Sequence, residues 1–200
     1  MTMTAENDKT TLLKLRELTG AGMVDCKNAL VEAKGDLKAA QEIIRRKGLD
    51  IAKKKATREA KEGSIISYIH GNGKLGVMLE INCESDFVAR NEQFQAFAKD
   101  IAMQIAAAFP LFVSSEDIPA ADLEREKNNF IAEIKGKPAD VAEKILQGKL
   151  AKRFEDICLL NQKFIKDDSK TIREYLTEVI ARIGENIVIR RFVRFELGGS

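Results

Sequence analysis

The chain has 200 residues, 44% hydrophobic and 32% charged, which is enough apolar content for a packed core and argues against disorder. Its apolar stretches are too short to cross a bilayer; Ile101 to Val113, for example, is broken by Gln104 and Pro110, which argues against helical membrane spans. Net charge is +2, with 14 basic and 10 acidic side chains in residues 1–62 against 19 and 21 in the remainder; this mild asymmetry suits contact with an acidic protein face and falls short of the basic stripe of a nucleic-acid binder. The length fits one sizeable domain, or a medium domain with a small companion. Cys26, Cys83 and Cys158 are odd in number and far apart, which points to reduced thiols in a cytosol. Residues 1–9 carry acids and no apolar block, unlike a signal or transit peptide.

Leu12, Leu15 and Leu18 recur at helical spacing before Gly20-Ala21-Gly22 breaks the chain. A second helix follows, with Met23, Cys26, Leu30 and Val31 or Ala33 inward, stopping at Gly35. Asp36 suits the N-cap of a third helix, with Leu37, Ala40, Ile43 and Ile44 inward and Gly48 at its end. These three helices form a small bundle over residues 1–49. Residues 50–62 are basic and poor in large apolar groups, and read as a linker helix into a second domain, 63–200.

From Gly63 the texture changes. Ser64–His70 and Leu75–Asn82 are rich in β-formers, and Gly71-Asn72-Gly73-Lys74 between them is a hairpin signal. Helical periodicity resumes from Phe87 to Ala108, and Pro110 ends it. Apolar residues at Leu123, Phe130, Ile131 and Ile134, then at Val141, Ile145, Leu146, Leu150, Phe154 and Ile157, predict two helices joined by Lys135-Gly136-Lys137-Pro138. They read as an antiparallel helical hairpin at about residues 120–160. Ser169 is a candidate cap for a last helix, Lys170–Ile183, and Ile187–Leu197 alternates as a strand. The fold class is therefore α+β, with a three-stranded sheet of 64–70, 75–82 and 187–196. Helices on one face of such a sheet leave the other face to be covered, and a partner subunit would cover it.

Several patterns suggest chemistry and lose to plainer readings. Gly71-x-Gly73-x-x-Gly76 matches the dinucleotide fingerprint in letters, but the fingerprint needs a helix N-terminus after the glycines, and Val77-Met78-Leu79 continues as strand. There is no CxxC, and His70 stands alone, so no metal cluster is expected. Cys83 and His70 could form a nucleophile–base pair on neighbouring strands; a buried strand cysteine is the simpler reading. The run Lys53-Lys54-Lys55 through Arg58 and Lys61 could touch phosphates, which keeps a nucleic-acid-binding module as the rival function. A solvated linker face is the favoured reading of the run. No catalytic constellation emerges, and no cofactor is expected.

Three segments carry a family resemblance. Leu15–Leu30 reads LRELTGAGMVDCKNAL, Leu79–Arg90 reads LEINCESDFVAR and Ile183–Phe192 reads IGENIVIRRF. Together, and in this order, they resemble the signatures of translation elongation factor Ts. The second signature usually has threonine where this chain has Ser85. The resemblance spans nearly the whole chain and implies a ubiquitin-associated-like N-terminal bundle. The core it implies has a three-stranded antiparallel sheet packed with helices. This chain holds one core unit, like short members of the family, some of which are homodimers.

The resemblance also implies the function: a non-enzymatic guanine-nucleotide exchange factor of the (bacterial) cytoplasm, whose partner is the GTPase elongation factor Tu. It implies no membrane and no direct nucleic-acid contact. Asp86 and Phe87, flanked by Ser85 and Val88, match the pair that enters the GTPase domain beside its magnesium site; that magnesium would belong to Tu. On residue type alone, Asp86 reads as a helix N-cap and Phe87 as core. Met23, Val24 and Lys27 match the N-terminal docking surface. His70 matches a histidine facing Tu in longer members, and Ile183 and Gly184 match a further contact region. Phe164 and Ile165 resemble an apolar pair that touches the far domain of Tu, although Lys166 replaces the apolar residue often found after them.

Overall fold

The computed structural model describes residues 5–134 and 138–199. The helices are α1 (Ala5–Thr19), α2 (Met23–Glu32), α3 (Leu37–Lys55), α4 (Asp86–Ala89), α5 (Glu92–Ala108), α6 (Ala120–Ile134), α7 (Ala139–Ile157) and α8 (Ile172–Ile183). The strands are β1 (Glu62–His70), β2 (Leu75–Cys83), β3 (Lys163–Phe164), β4 (Asp167–Thr171) and β5 (Ile187–Glu196). The α+β class agrees with the expectation. β1, β2 and β5 form a three-stranded antiparallel sheet with β2 in the centre. By contact density, the residues up to Ser64 join Asn82–Phe97 and Leu176–Val188 in one compact unit. Ile65–Ile81, Ala98–Tyr175 and the residues from Ile189 onward form a second.

In the first unit, α1 to α3 bury Leu15, Cys26, Ala29, Ala40 and Ile43, with Leu12, Leu30, Ala33, Leu37 and Ile44 packed around them. The α1–α2 corner turns on Gly20, whose φ of +63° favours glycine. Thr19 Oγ1 closes the corner by donating to Leu15 O at 2.8 Å. Asp36 caps α3 as predicted, its Oδ1 accepting from Ala39 N at 2.9 Å.

Several local expectations are corrected. Met23 points outward, as does Leu18, and of the Val31-or-Ala33 alternative it is Ala33 that packs on the core; Cys26, as expected, and Ala29 supply the buried stripe of α2. Gly48 does not end the third helix. α3 runs on to Lys55, so the helical part of the basic stretch continues α3, and the chain is already strand at Glu62. Gly48 is buried because α8 passes close to it: a methyl group placed there would lie 3.5 Å from Ala181 Cβ.

The helix expected from Phe87 to Ala108 is two helices. Asn91 interrupts it and restarts it, its Oδ1 accepting from Gln93 N at 2.7 Å. Asn competes well for such a local bond, which is why it favours caps over helix interiors. The sequence in α5 then seals Phe94, Phe97, Ala98, Ile101, Ala102 and Ile105 completely. The last helix starts at Ile172, two residues later than expected. Thr171 caps it in a reciprocal box: Glu174 N donates to Thr171 Oγ1 at 3.2 Å, and Thr171 N donates to Glu174 Oε2 at 2.9 Å.

β2 alternates, with Val77, Leu79, Ile81 and Cys83 buried and Met78 exposed on the other face. Ile65, Ile69, Val193 and Phe195 are exposed with Met78, a larger apolar display than scattered surface residues account for.

In the second unit, α6 and α7 form the expected antiparallel hairpin. Arg153 Nε donates to Glu126 Oε1 at 3.1 Å, and Lys149 Nζ lies 5.4 Å from the Phe130 ring centre, so later residues of α6 meet earlier residues of α7. The connection at Lys135–Lys137 lies outside the described residues; Pro138 is the N-cap of α7. β3 and β4 form a small antiparallel hairpin that the sequence reading missed, with Phe164 opposite Asp167 and Ile165-Lys166 at its tip. The fully buried Gln104 holds it: Nε2 donates to Gln162 Oε1 at 3.2 Å and Lys163 O at 3.1 Å, while Oε1 accepts from Ile165 N at 2.9 Å.

Candidate functional site

β2 ends in Cys83, and Ser85 redirects the chain into the one-turn helix α4. Ser85, not Asp86, is the cap: its Oγ accepts from Val88 N at 3.4 Å. Asp86 is the first helical residue, where the helix dipole favours a negative charge, and Arg90 donates to its carboxylate one turn on. Ala89 turns inward and is buried, Val88 is half-buried, and Phe87 projects with 79% of its surface exposed. The core reading of Phe87 is thus corrected. An apolar ring this exposed, next to an acidic group, is what an interface anchor presents before its partner arrives.

The base of α4 is tied down by a side chain about 100 residues away in sequence. Glu185 Oε2 accepts from Ser85 N at 3.0 Å and Glu84 N at 3.1 Å, and Oε1 accepts from Ser85 Oγ at 2.7 Å. The tie is reciprocated: Glu84 Oε1 accepts from Asn186 N at 2.7 Å, and Glu84 Oε2 lies 3.3 Å from Arg58 Nη1. Asn186 Nδ2 donates to Arg58 O at 2.7 Å. These bonds hold the Glu84 carboxyl below its ordinary value, the Asn186 amide contributing most. Sequence reasoning noted the Ile183–Phe192 signature but did not single out Glu185 or Asn186; their charge and amide in a β-approach were the available signal.

Ile183 and Gly184 stand beside this tie. Ile183 is half-buried. Gly184 has a φ of +82° and donates to Ile180 O at 2.8 Å, closing α8 as a glycine C-terminus does. Just before them, Arg182 Nη2 donates to Thr19 O at 3.2 Å. On α2, Met23, Val24 and Lys27 all lie on the exposed side, Val24 at 70%. The first unit thus contains α4 and these docking candidates.

The second unit contains the others. His70 is exposed at the end of β1, with Nδ1 2.8 Å from the Tyr68 hydroxyl. Phe164 is buried and stacked on Tyr175, ring centres 4.6 Å apart. Ile165 is exposed at the hairpin tip. Lys166 is engaged with Asp100, Nζ to Oδ1 at 2.6 Å, and Tyr175 donates to Asp100 Oδ2 at 3.0 Å.

The rival chemistries find little support. Burial pushes the Cys83 thiol up to about 11, with the Glu185 charge adding to the effect, and its Sγ donates to Ser85 O at 3.1 Å. Such a thiol is a poor nucleophile. Gly71 and Gly73 occupy the β1–β2 turn, both at positive φ, and strand follows. Among the described residues no group of three or more His, Cys, Asp or Glu side chains is arranged to hold a metal, and no helix is long and apolar enough to cross a membrane. In the basic run, Arg58 faces Glu84 and Lys61 pairs with Glu59.

Comparison with known proteins gives a consistent answer. The family described as "Elongation factor TS" matches residues 28–199. Elongation factor Ts of Thermodesulfovibrio yellowstonii is 58% identical over 186 residues, covering 92% of this chain and 93% of the relative. That of Carboxydothermus hydrogenoformans is 57% identical over 187 residues, 92% and 86% of the two chains, and that of Thermotoga petrophila 52% over 185 residues, 92% and 93%. With a family match over most of its length and relatives this similar across nearly all of it, the chain belongs to the elongation factor Ts family.

Proposed function

We propose that this protein is a guanine-nucleotide exchange factor for elongation factor Tu. It binds the GDP-bound GTPase, disturbs the site that holds magnesium and phosphate, and releases GDP so that GTP rebinds during translation elongation. Family membership supports the partner and the process. The observation that carries the mechanism is the Phe87 ring, 79% exposed on a helix of one turn. Inserted into the GTPase with Asp86 beside it, the ring displaces groups around the magnesium, and Ser85 and Val88 shape the base of the insertion.

The thermodynamics require no chemistry on this chain. A factor that binds the nucleotide-free GTPase more tightly than the GDP form weakens GDP by the same ratio; equal affinity for both forms would shift nothing. The protein therefore acts by contact and is not an enzyme that makes or breaks covalent bonds. Met23, Val24 and Lys27 dock the bundle, with Ile183 and Gly184 as a further contact. His70 and Ile165 supply second-unit contacts, and Phe164 supports Ile165 from within the core. Residues 1–49 serve as the docking domain and 63–200 as the core, acting in the cytoplasm. The exposed sheet residues Ile65, Ile69, Met78, Val193 and Phe195 suit burial against a second copy, giving a homodimer that a mass measurement in solution would reveal.

The deciding experiment mixes catalytic amounts of the protein with elongation factor Tu carrying labelled GDP and excess unlabelled nucleotide. Release well above the basal rate is expected; a basal rate would refute the proposal.

A further inference from the structure

Phe87 owes its exposure to a helix of one turn, and one turn is too short to hold its own orientation. Inside α4, the Ser85 cap is a local, part-buried bond and the Asp86–Arg90 pair is local and exposed. From outside, Gln95 Nε2 donates to Ala89 O at the far end of α4, and the hold on its Ser85 end comes from Glu185. One carboxylate takes three donors from two consecutive residues: both backbone amides, at 3.1 and 3.0 Å, and the Ser85 hydroxyl at 2.7 Å. Hydrogen bonds to an ionised acceptor are about twice as strong as neutral ones. The Ser85 hydroxyl is used twice, donating to Glu185 and accepting from Val88 N. A shift of the carboxylate therefore moves the helix cap itself. The return bond from Asn186 N to Glu84 closes the two segments into a double tie.

We propose that Glu185 is a positioning residue for nucleotide release: it touches neither the GTPase nor the nucleotide, and it aims Phe87 by fixing Ser85. The inference rests on the reading of Asp86 and Phe87 as the displacing pair. An ångström of misplacement in an aimed group can cost up to two orders of magnitude in rate. The bonds of Glu185 go to Glu84 and Ser85 and none of them to Met23, Val24 or Lys27 of α2, so the defect is expected in the maximal rate more than in the half-saturating concentration.

The test measures GDP release from elongation factor Tu against factor concentration for the wild type, Glu185→Ala, Glu185→Gln, Phe87→Ala and the Glu185→Ala/Phe87→Ala double variant. Glu185→Ala should lower the saturating rate about tenfold and change the half-saturating concentration less than about twofold. Glu185→Gln keeps an oxygen for the amides and an NH2 for the Ser85 oxygen, and should recover most of the loss. In the Phe87→Ala background Glu185→Ala should add little, because the residue acts through the ring. Amide exchange on the free chain should show Glu84 and Ser85 losing protection in Glu185→Ala while α5 keeps its own, which separates a loosened tie from general unfolding. An unchanged saturating rate, full additivity with Phe87→Ala, or lost protection throughout α5 would overturn the positioning role. A wild-type protein that leaves GDP release at the basal rate would instead overturn the proposed function, and with it this role.

Discussion

Gly48 of α3 and Ala181 of α8 meet with no side chain on the glycine: a methyl group there would stand 3.5 Å from Ala181 Cβ, at ordinary van der Waals contact. The contact makes a graded prediction. Gly48→Ala adds a methyl that fits and removes the entropic cost of a helical glycine, so it should stabilise the protein by about 0.5–1 kcal/mol. Gly48→Leu overfills the same space and should cost about 1–3 kcal/mol. The midpoint of urea unfolding reads both, and equal effects of the two substitutions would contradict the packing.

Phe87 and Phe94 should separate function from stability. Phe87 is largely exposed and Phe94 fully buried. Phe87→Ala should change stability by less than about 0.5 kcal/mol while slowing GDP release tenfold or more, as loss of an interface anchor does. Phe94→Ala should cost about 3–5 kcal/mol of folding stability. Thermal unfolding beside the exchange assay distinguishes them.

Glu84 should shape the acid limb of stability. Its carboxyl is held below the ordinary 4.5, first by the Asn186 amide and then by Arg58. A lowered folded value means the contribution is present above the unfolded value and is lost as pH falls through the folded one. Stability followed between about pH 3 and 6 should decline toward acid less steeply in Glu84→Gln than in the wild type. Parallel curves would argue that the Asn186 and Arg58 contacts do not persist in solution.

Cys83 should resist alkylation. Its thiol is pushed from 9.0 to about 11, which lowers the thiolate fraction at pH 8 about 100-fold. Iodoacetamide should modify the folded protein at least that much more slowly than the urea-unfolded chain. Rapid labelling of Cys83 in the folded state would reopen a nucleophilic role.

Gln104→Leu should be costly despite similar volume. It strands Gln162 Oε1 in a buried bond and Lys163 O and Ile165 N in part-buried ones, and a buried orphan costs about 1–3 kcal/mol. A loss of at least about 2 kcal/mol is expected in chemical unfolding, with weaker protection of the Ile165 amide against exchange.

Periodicity and turn chemistry made most of this fold readable. The bundle, the hairpin strands and the α6–α7 pair follow from repeats of 3.6 or 2 and from Asp36, Asn72-Gly73 and Pro138. Part of what escaped was decided by partners distant in sequence, and part by local geometry that periodicity does not carry. Gly48 reads as a helix stop until Ala181 explains it as a close approach. Phe87 reads as core because aromatic residues usually are; only the shortness of α4 and its Ser85 cap turn it outward. The β3–β4 hairpin depends on a buried glutamine that no local pattern announces. The Asp86–Phe87 pair was singled out through resemblance as a candidate, whereas the Glu185 bonds beneath it required coordinates.

The six residues from Ala181 to Asn186 touch α3 at Gly48, hold the α1–α2 corner at Thr19 and grip the approach to α4 at Glu84 and Ser85. This short stretch works as a tether with almost no slack. On the proposed function, a bundle docked on a partner would hold the ring at an effective concentration set by a span of a few residues, which for short connections reaches the millimolar range. Neither contact alone would then need to be tight.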